Sequence, residues 1–259
     1  AENGSGLEWL TRDRSDRLIG ITNGIDTEVW NPEIDPELAA HFNVSDLSGK
    51  RECKRALLEG FSLPVDLDKP ILASVTRLTA QKGIDLMMQV AGDVLATGAY
   101  IISLGSGERR YEDFWQRLRD YAPHQVGIYR GYSESLSHKI EAGADIFMMP
   151  SKFEPCGLNQ MYSLKYGTVP IVHAVGGLDD TVETFDTVSG TGNGFKFASY
   201  RADRFLERIY EALFAYAQPQ TWRKIQLNGM SADNSWENAA QKYVQLYRWT
   251  QGTSLSAHA

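Results

Sequence analysis

From residue 70 onward, short apolar runs alternate with longer stretches whose apolar positions recur at helical spacing. The runs 71–75, 100–104, 126–129, 146–149 and 169–172 are short and β-rich, and predict strands. Between the first two, apolar side chains at 84, 87, 88, 91, 94 and 95 fall on one helical face. Residues 111–121 are amphipathic in the same way, and further helices are predicted around 134–142 and 158–166. Strands alternating with helices imply right-handed βαβ units. The fold class is therefore α/β, a doubly wound parallel sheet with helices on both faces.

The flanks are less regular. Residues 17–21 read as a strand, 22–26 as a turn, and 35–42 and 51–60 as short helices. From residue 202 the pattern is helical and ends in an amphipathic segment, 236–249. The expected organisation is an interdomain remnant over 1–25, one domain over 26–250 and a disordered tail over 251–259.

A net charge of −7 argues against general electrostatic binding to nucleic acid or an anionic membrane, while leaving room for a local cationic site. Cys53 and Cys156 are the only cysteines, too few for a disulfide framework, which points to a reducing compartment. No apolar run approaches a membrane span, and Ala1 to Gly6 lack the features of a signal peptide.

In open α/β sheets ligands bind beyond the carboxyl ends of the strands, so the loops after the predicted strands are the places to look. Arg77 and Lys82 share the loop after the first strand and lead into a helix N-terminus, a combination suited to a diphosphate or simply to two solvated cations. Gly105-Ser106-Gly107 lets a backbone approach a ligand or makes a tight turn. Tyr132 is placed to stack on a base or to plug a groove. Glu154 stands at a helix start, where a carboxylate also serves the helix dipole. Gly176-Gly177, followed by Thr181, exposes amides at another helix start. No spacing of His, Cys and Asp suggests a metal site, and His124, His138 and His173 read as ordinary polar residues.

These stretches, taken in order, resemble a known family. Asn23-Gly24-Ile25-Asp26 with Val29-Trp30-Asn31-Pro32, Arg77-Leu78-Thr79 with Gln81-Lys82-Gly83, Gly105-Ser106-Gly107, Gly131-Tyr132, Phe153-Glu154-Pro155-Cys156-Gly157-Leu158 with Gln160, and Gly176-Gly177-Leu178 with Asp180-Thr181-Val182 are similar to the C-terminal half of bacterial glycogen synthases and plant starch synthases. Those are retaining glucosyltransferases of the two-lobed GT-B fold.

The resemblance implies transfer of glucose from ADP-glucose to an α-1,4-glucan, in a bacterial cytoplasm or a plastid stroma. ADP-glucose is then substrate and ADP product, with no separate cofactor. It further implies that Arg77 and Lys82 hold the diphosphate and that Tyr132 stacks on adenine. Glu154, with the backbone of Cys156, Gly157 and Leu158, would bind donor glucose hydroxyls. Asn23 would reach the sugar from across the cleft, and Gly105, Gly177 and Thr181 would flank the nucleotide.

Three positions depart from the wider GT-B pattern. Tyr162 stands where many retaining members carry a ribose-binding glutamate, Val175 precedes the paired glycines in place of threonine, and Asn159 replaces another threonine. The Lys-Thr-Gly-Gly motif of the family's N-terminal lobe does not occur here. The expectation is one lobe of a longer protein, inactive alone, with the acceptor glucan held by the other lobe and the final helix exposing apolar surface. Two alternatives stay open: a glucan- or partner-binding regulatory module on the same fold, and a transferase using UDP- or GDP-sugars.

Overall fold

The apolar runs become strands because their side chains are buried on both faces, and the amphipathic stretches become the helices that bury them. The computed structural model describes residues 6–251. In chain order the helices are α1 (Glu8–Asp13), α2 (Ser48–Gly60), α3 (Ile84–Ala96), α4 (Arg109–Tyr121), α5 (Glu134–Gly143), α6 (Asn159–Lys165), α7 (Gly176–Thr181), α8 (Ala202–Tyr216), α9 (Pro219–Met230) and α10 (Trp236–Thr250). The strands are β1 (Ile71–Val75), β2 (Tyr100–Gly105), β3 (Val126–Arg130), β4 (Ile146–Met149), β5 (Val169–His173) and β6 (Phe195–Phe197). Two compact units result: Asp26–Ala232, and a terminal unit of residues up to Ile25 together with those from Asp233 onward.

In the larger unit the strands pair in the order β3-β2-β1-β4-β5-β6, all parallel. Side chains alternate between two cores. Leu72, Ile101, Ile146 and Ile171 pack with Val90, Trp115, Phe205 and Ile209 on one face. Ile71, Ala73, Ile102 and Phe147 pack with Leu57, Leu58, Ile140 and Leu178 on the other. This is the doubly wound parallel sheet expected from the sequence.

Residues 35–42 are turns rather than the expected helix. Pro36 disfavours helical geometry at Asp35, and the Asp35 carboxylate is committed elsewhere. It accepts from the Glu37 N–H at 2.9 Å and the Tyr166 hydroxyl at 2.5 Å, and meets His138 Nδ1 at 2.7 Å. Trp30 stacks between His138 and Tyr162, with centroids 3.8 and 3.7 Å away. Tyr162 thus covers one face of the Trp30 ring.

In the terminal unit, residues 17–21 form no strand, and Leu18 and Ile19 are exposed. The Ile25 N–H donates to the Asn234 carbonyl at 2.8 Å, and a parallel bridge joins Ile25 to Ser235. The Ser235 hydroxyl caps α10 by accepting from the Asn238 N–H at 3.2 Å. Ala239 is the one buried residue of α10, and Trp236, Tyr247 and Trp249 are exposed, as is Trp9 of α1. The tail expected over 251–259 lies, beyond Gln251, outside the described residues.

Candidate functional site

The strand order creates a crevice at one place. From β1 the chain crosses to β2 on one side, and from β4 it crosses to β5 on the other, so the loops after β1 and β4 diverge. There a cavity of about 180 Å³ is lined by Arg77 and Lys82 from the first loop and by Ser151, Glu154, Gly157 and Leu158 from the second. Larger hollows exist elsewhere and lack convergent free polar groups. One of about 350 Å³ is walled mainly by apolar side chains of α2, α5 and β3, including Leu57, Phe61 and Leu136. Another of about 640 Å³ adjoins Pro70, at the amino end of β1, away from the strand ends where ligands bind in such sheets.

The two loops are stitched together by direct hydrogen bonds. The Lys152 N–H donates to the Gln81 carbonyl at 2.8 Å, and Gln81 Nε2 donates to the Phe153 carbonyl at 3.1 Å. Asn159 Nδ2 donates to the Val75 carbonyl at 2.7 Å, fastening the start of α6 to the end of β1. The glycine pair opening α7 is explained by close approach: a Cβ on Gly176 would strike the Glu154 carbonyl oxygen, and one on Gly177 that of Cys156. The Gly177 N–H donates to the Pro155 carbonyl at 3.1 Å.

Lys82 and Glu154, assigned from the sequence to opposite ends of a ligand, are ion-paired to each other. Glu154 is only 8% exposed, and the Ser151 hydroxyl also donates to it, at 3.4 Å. The pair is neutral as a unit, so the uncompensated positive charge on this wall comes from Arg77. Its guanidinium is exposed, with no ion pair or hydrogen bond among the described residues.

Of the other residues singled out in the sequence, Cys156, Gly177 and Thr181 lie directly behind the Glu154 loop. The Thr181 hydroxyl donates to the Gly177 carbonyl at 2.6 Å. Gly105 ends β2 with its Cα against the Thr76 carbonyl, so its lack of a side chain serves the approach of two loops. Tyr132 is 80% exposed on the loop after β3 and does not line the cavity. Asn23 belongs to the terminal unit. The sequence assigned no role to Ser151 and did not show the structural use of Asn159 and Gln81; of the three only Ser151, two residues past β4, stands near a strand end.

The strongest perturbations of ionisable groups lie away from this cavity. Burial pushes the Lys50 ammonium down to about 8, although it donates to Ala142, Tyr166 and Thr168 oxygens at 2.9, 3.0 and 2.7 Å. Burial also raises Glu141 well above the ordinary carboxylate range, and both its carboxylate oxygens lack hydrogen-bond partners. Among the described residues no group of three His, Cys, Asp or Glu side chains is arranged to hold a metal ion, and no helix is long and apolar enough to cross a membrane.

Residues 59–226 match the family Glycosyl transferases group 1. The chain is 48% identical over 247 residues to a glycogen synthase of Anaeromyxobacter dehalogenans, covering 95% of this chain and 52% of that one. It is 45% identical over 247 residues to a glycogen synthase of Koribacter versatilis, covering 95% and 51% respectively. The chain thus spans about half the length of the curated relatives it matches. Among solved structures it is similar to the catalytic domain of starch synthase IV from Arabidopsis thaliana bound to ADP and acarbose. The TM-score is 0.89 at 36% identity, covering 98% of this chain and 53% of that one.

Proposed function

Because the chain belongs to the glycosyl transferases of group 1, we propose that it is the nucleotide-sugar-binding lobe of a retaining α-1,4-glucan synthase that uses ADP-glucose. The observation that carries this reading is the free Arg77 guanidinium beside the Lys82–Glu154 pair at the crevice between β1 and β4. A diphosphate needs donors already in place where charge builds as the glycosidic bond to it breaks. Arg77 offers a planar fork for two phosphate oxygens, and Lys82 a point charge that shifts from Glu154 onto the phosphate. Glu154 then turns to the hydroxyls of the donor glucose, held by the loop that Gln81 and Gly177 brace. Tyr132, exposed on the next loop, supplies a face for adenine, and Gly105 and Thr181 flank the nucleotide.

In the reaction the bond from glucose C1 to the diphosphate breaks and a bond to the acceptor hydroxyl forms, with the acceptor proton leaving on ADP. No metal or added cofactor enters this scheme. The same reading gives the glucan acceptor, and the contact from Asn23, to a closed cleft with a second lobe. The present residues alone therefore bind donor nucleotide and transfer nothing, and a cytoplasmic or stromal location suits the role. The ADP-bound starch synthase domain supports the choice of ADP. Calorimetric titration of the chain with ADP, UDP and GDP tests it. Weak binding that favours ADP is expected; no heat at millimolar ADP, or a preference for UDP or GDP, overturns the assignment.

A further inference from the structure

Gln160, the second residue of α6, does not line the cavity and is 0% exposed. Its Nε2 donates to the Cys156 and Gly157 carbonyls, each at 3.1 Å, and lies 3.1 Å from the Thr181 hydroxyl. Two carbonyl acceptors fix which way the amide faces, since the flipped form would set Oε1 against both oxygens. In this orientation Oε1 is buried without a partner. The amide is needed for its donor and not for its volume, since a methionine of similar size would remove the orphaned Oε1 but leave the Cys156 and Gly157 carbonyls without this N–H.

What the amide achieves is orientation. Within a trans peptide plane the C=O and the following N–H point in opposite directions. Drawing the Cys156 and Gly157 carbonyls toward Gln160 turns the N–H groups of Gly157 and Leu158 away from it, and both of these residues line the cavity with Glu154. Neither N–H donates elsewhere in the described hydrogen-bond network. Gly157 sits at φ +72°, and a Cβ there would meet the Gln160 amide, so the turn is closed from behind. Successive N–H groups around such a left-handed residue form a concave donor site.

We propose that Gln160 is a positioning residue that presets two peptide N–H donors, those of Gly157 and Leu158, for the sugar hydroxyls of the donor. The inference rests on the nucleotide-sugar reading of this cavity and adds to it a residue that touches no ligand. Its test is a pair of affinities measured on this chain for ADP-glucose and for ADP, which lacks the sugar. Gln160→Met is expected to weaken ADP-glucose binding about tenfold while changing ADP binding by less than about twofold. Gln160→His, which keeps an N–H donor, is expected to retain more ADP-glucose affinity than Gln160→Met. Equal losses for both nucleotides, or no loss for either, overturn the proposal.

A second measurement does not depend on nucleotide. In Gln160→Met the residual dipolar couplings of the Gly157 and Leu158 N–H bonds, which report their direction, are expected to change, with those of β4 and β5 unaltered; unaltered couplings at Gly157 and Leu158 also overturn the proposal. If the unsubstituted chain binds neither nucleotide, the functional reading fails and the proposed sugar role with it. The N–H couplings then still decide whether Gln160 holds the turn.

Discussion

Two regions of this molecule set a lysine against a carboxylate with little water around them, and they use the arrangement differently. Behind β1 and β4, Lys54 meets Asp145 at 2.7 Å, the Tyr216 hydroxyl accepts from Lys54 at 2.9 Å, and the Ile71 N–H donates to Asp145 at 2.8 Å. Every charge there is wrapped by fixed partners. At the cavity, Lys82 meets Glu154, but among the described residues the only other side-chain donor to that carboxylate is a serine hydroxyl at 3.4 Å, and a guanidinium without an ion pair stands alongside. Burial of charge is common to both. What separates a candidate binding site from a structural one is bonding capacity left open toward a cavity.

The sharpest way to break this comparison is to remove one partner from the wrapped pair. Asp145→Ala leaves the Lys54 ammonium and a strand N–H buried without their acceptor, and is expected to cost about 3–5 kcal/mol of stability by urea unfolding. A loss no larger than that of a surface substitution would remove the structural reading. Arg77→Ala should behave in the opposite way. Unfolding is expected to stay within about 0.5 kcal/mol of the parent, while ADP affinity falls by roughly 10–100-fold in calorimetry. Unchanged affinity would detach Arg77 from the diphosphate.

The smallest effect sharpens the comparison further. Glu141 is wrapped but unpaired, with a folded-state proton affinity raised by burial above the ordinary value of 4.5. The unfolded chain releases that proton near pH 4.5, whereas the folded chain keeps it, so this residue subtracts stability as the pH rises. Glu141→Gln is therefore expected to match the parent at pH 4 and to exceed its thermal midpoint at pH 7 by roughly 2–4 °C. An advantage of equal size at both pH values would show that titration is not its cause.

Much of the sheet was legible because its strands are buried on both faces, and a run such as Ile71 to Val75 has few other readings. The loops after β1 and β4 could be identified as functional from their charged residues and glycines. Their pairing could not, because Lys82 and Glu154 are 72 residues apart and meet only through the strand order. The helix expected over 35–42 failed on Pro36, which is visible in the sequence, and on a tertiary demand that no local pattern carries, the claim of His138 and Tyr166 on the Asp35 carboxylate. Strand β6, at three residues, is too short to leave a periodic trace. Gln160 is conspicuous only once the carbonyls it draws inward are seen.

The division into two units also sorts the tryptophans. Trp9, Trp236 and Trp249 are exposed and belong to the terminal unit, whereas Trp30, Trp115 and Trp222 are buried in the sheet unit. Intrinsic fluorescence of this protein therefore carries two populations, one emitting at longer wavelength and open to quenching by acrylamide, the other blue-shifted and shielded. A single emission spectrum, resolved by a quencher, reports the loss of each unit on its own channel without any added label.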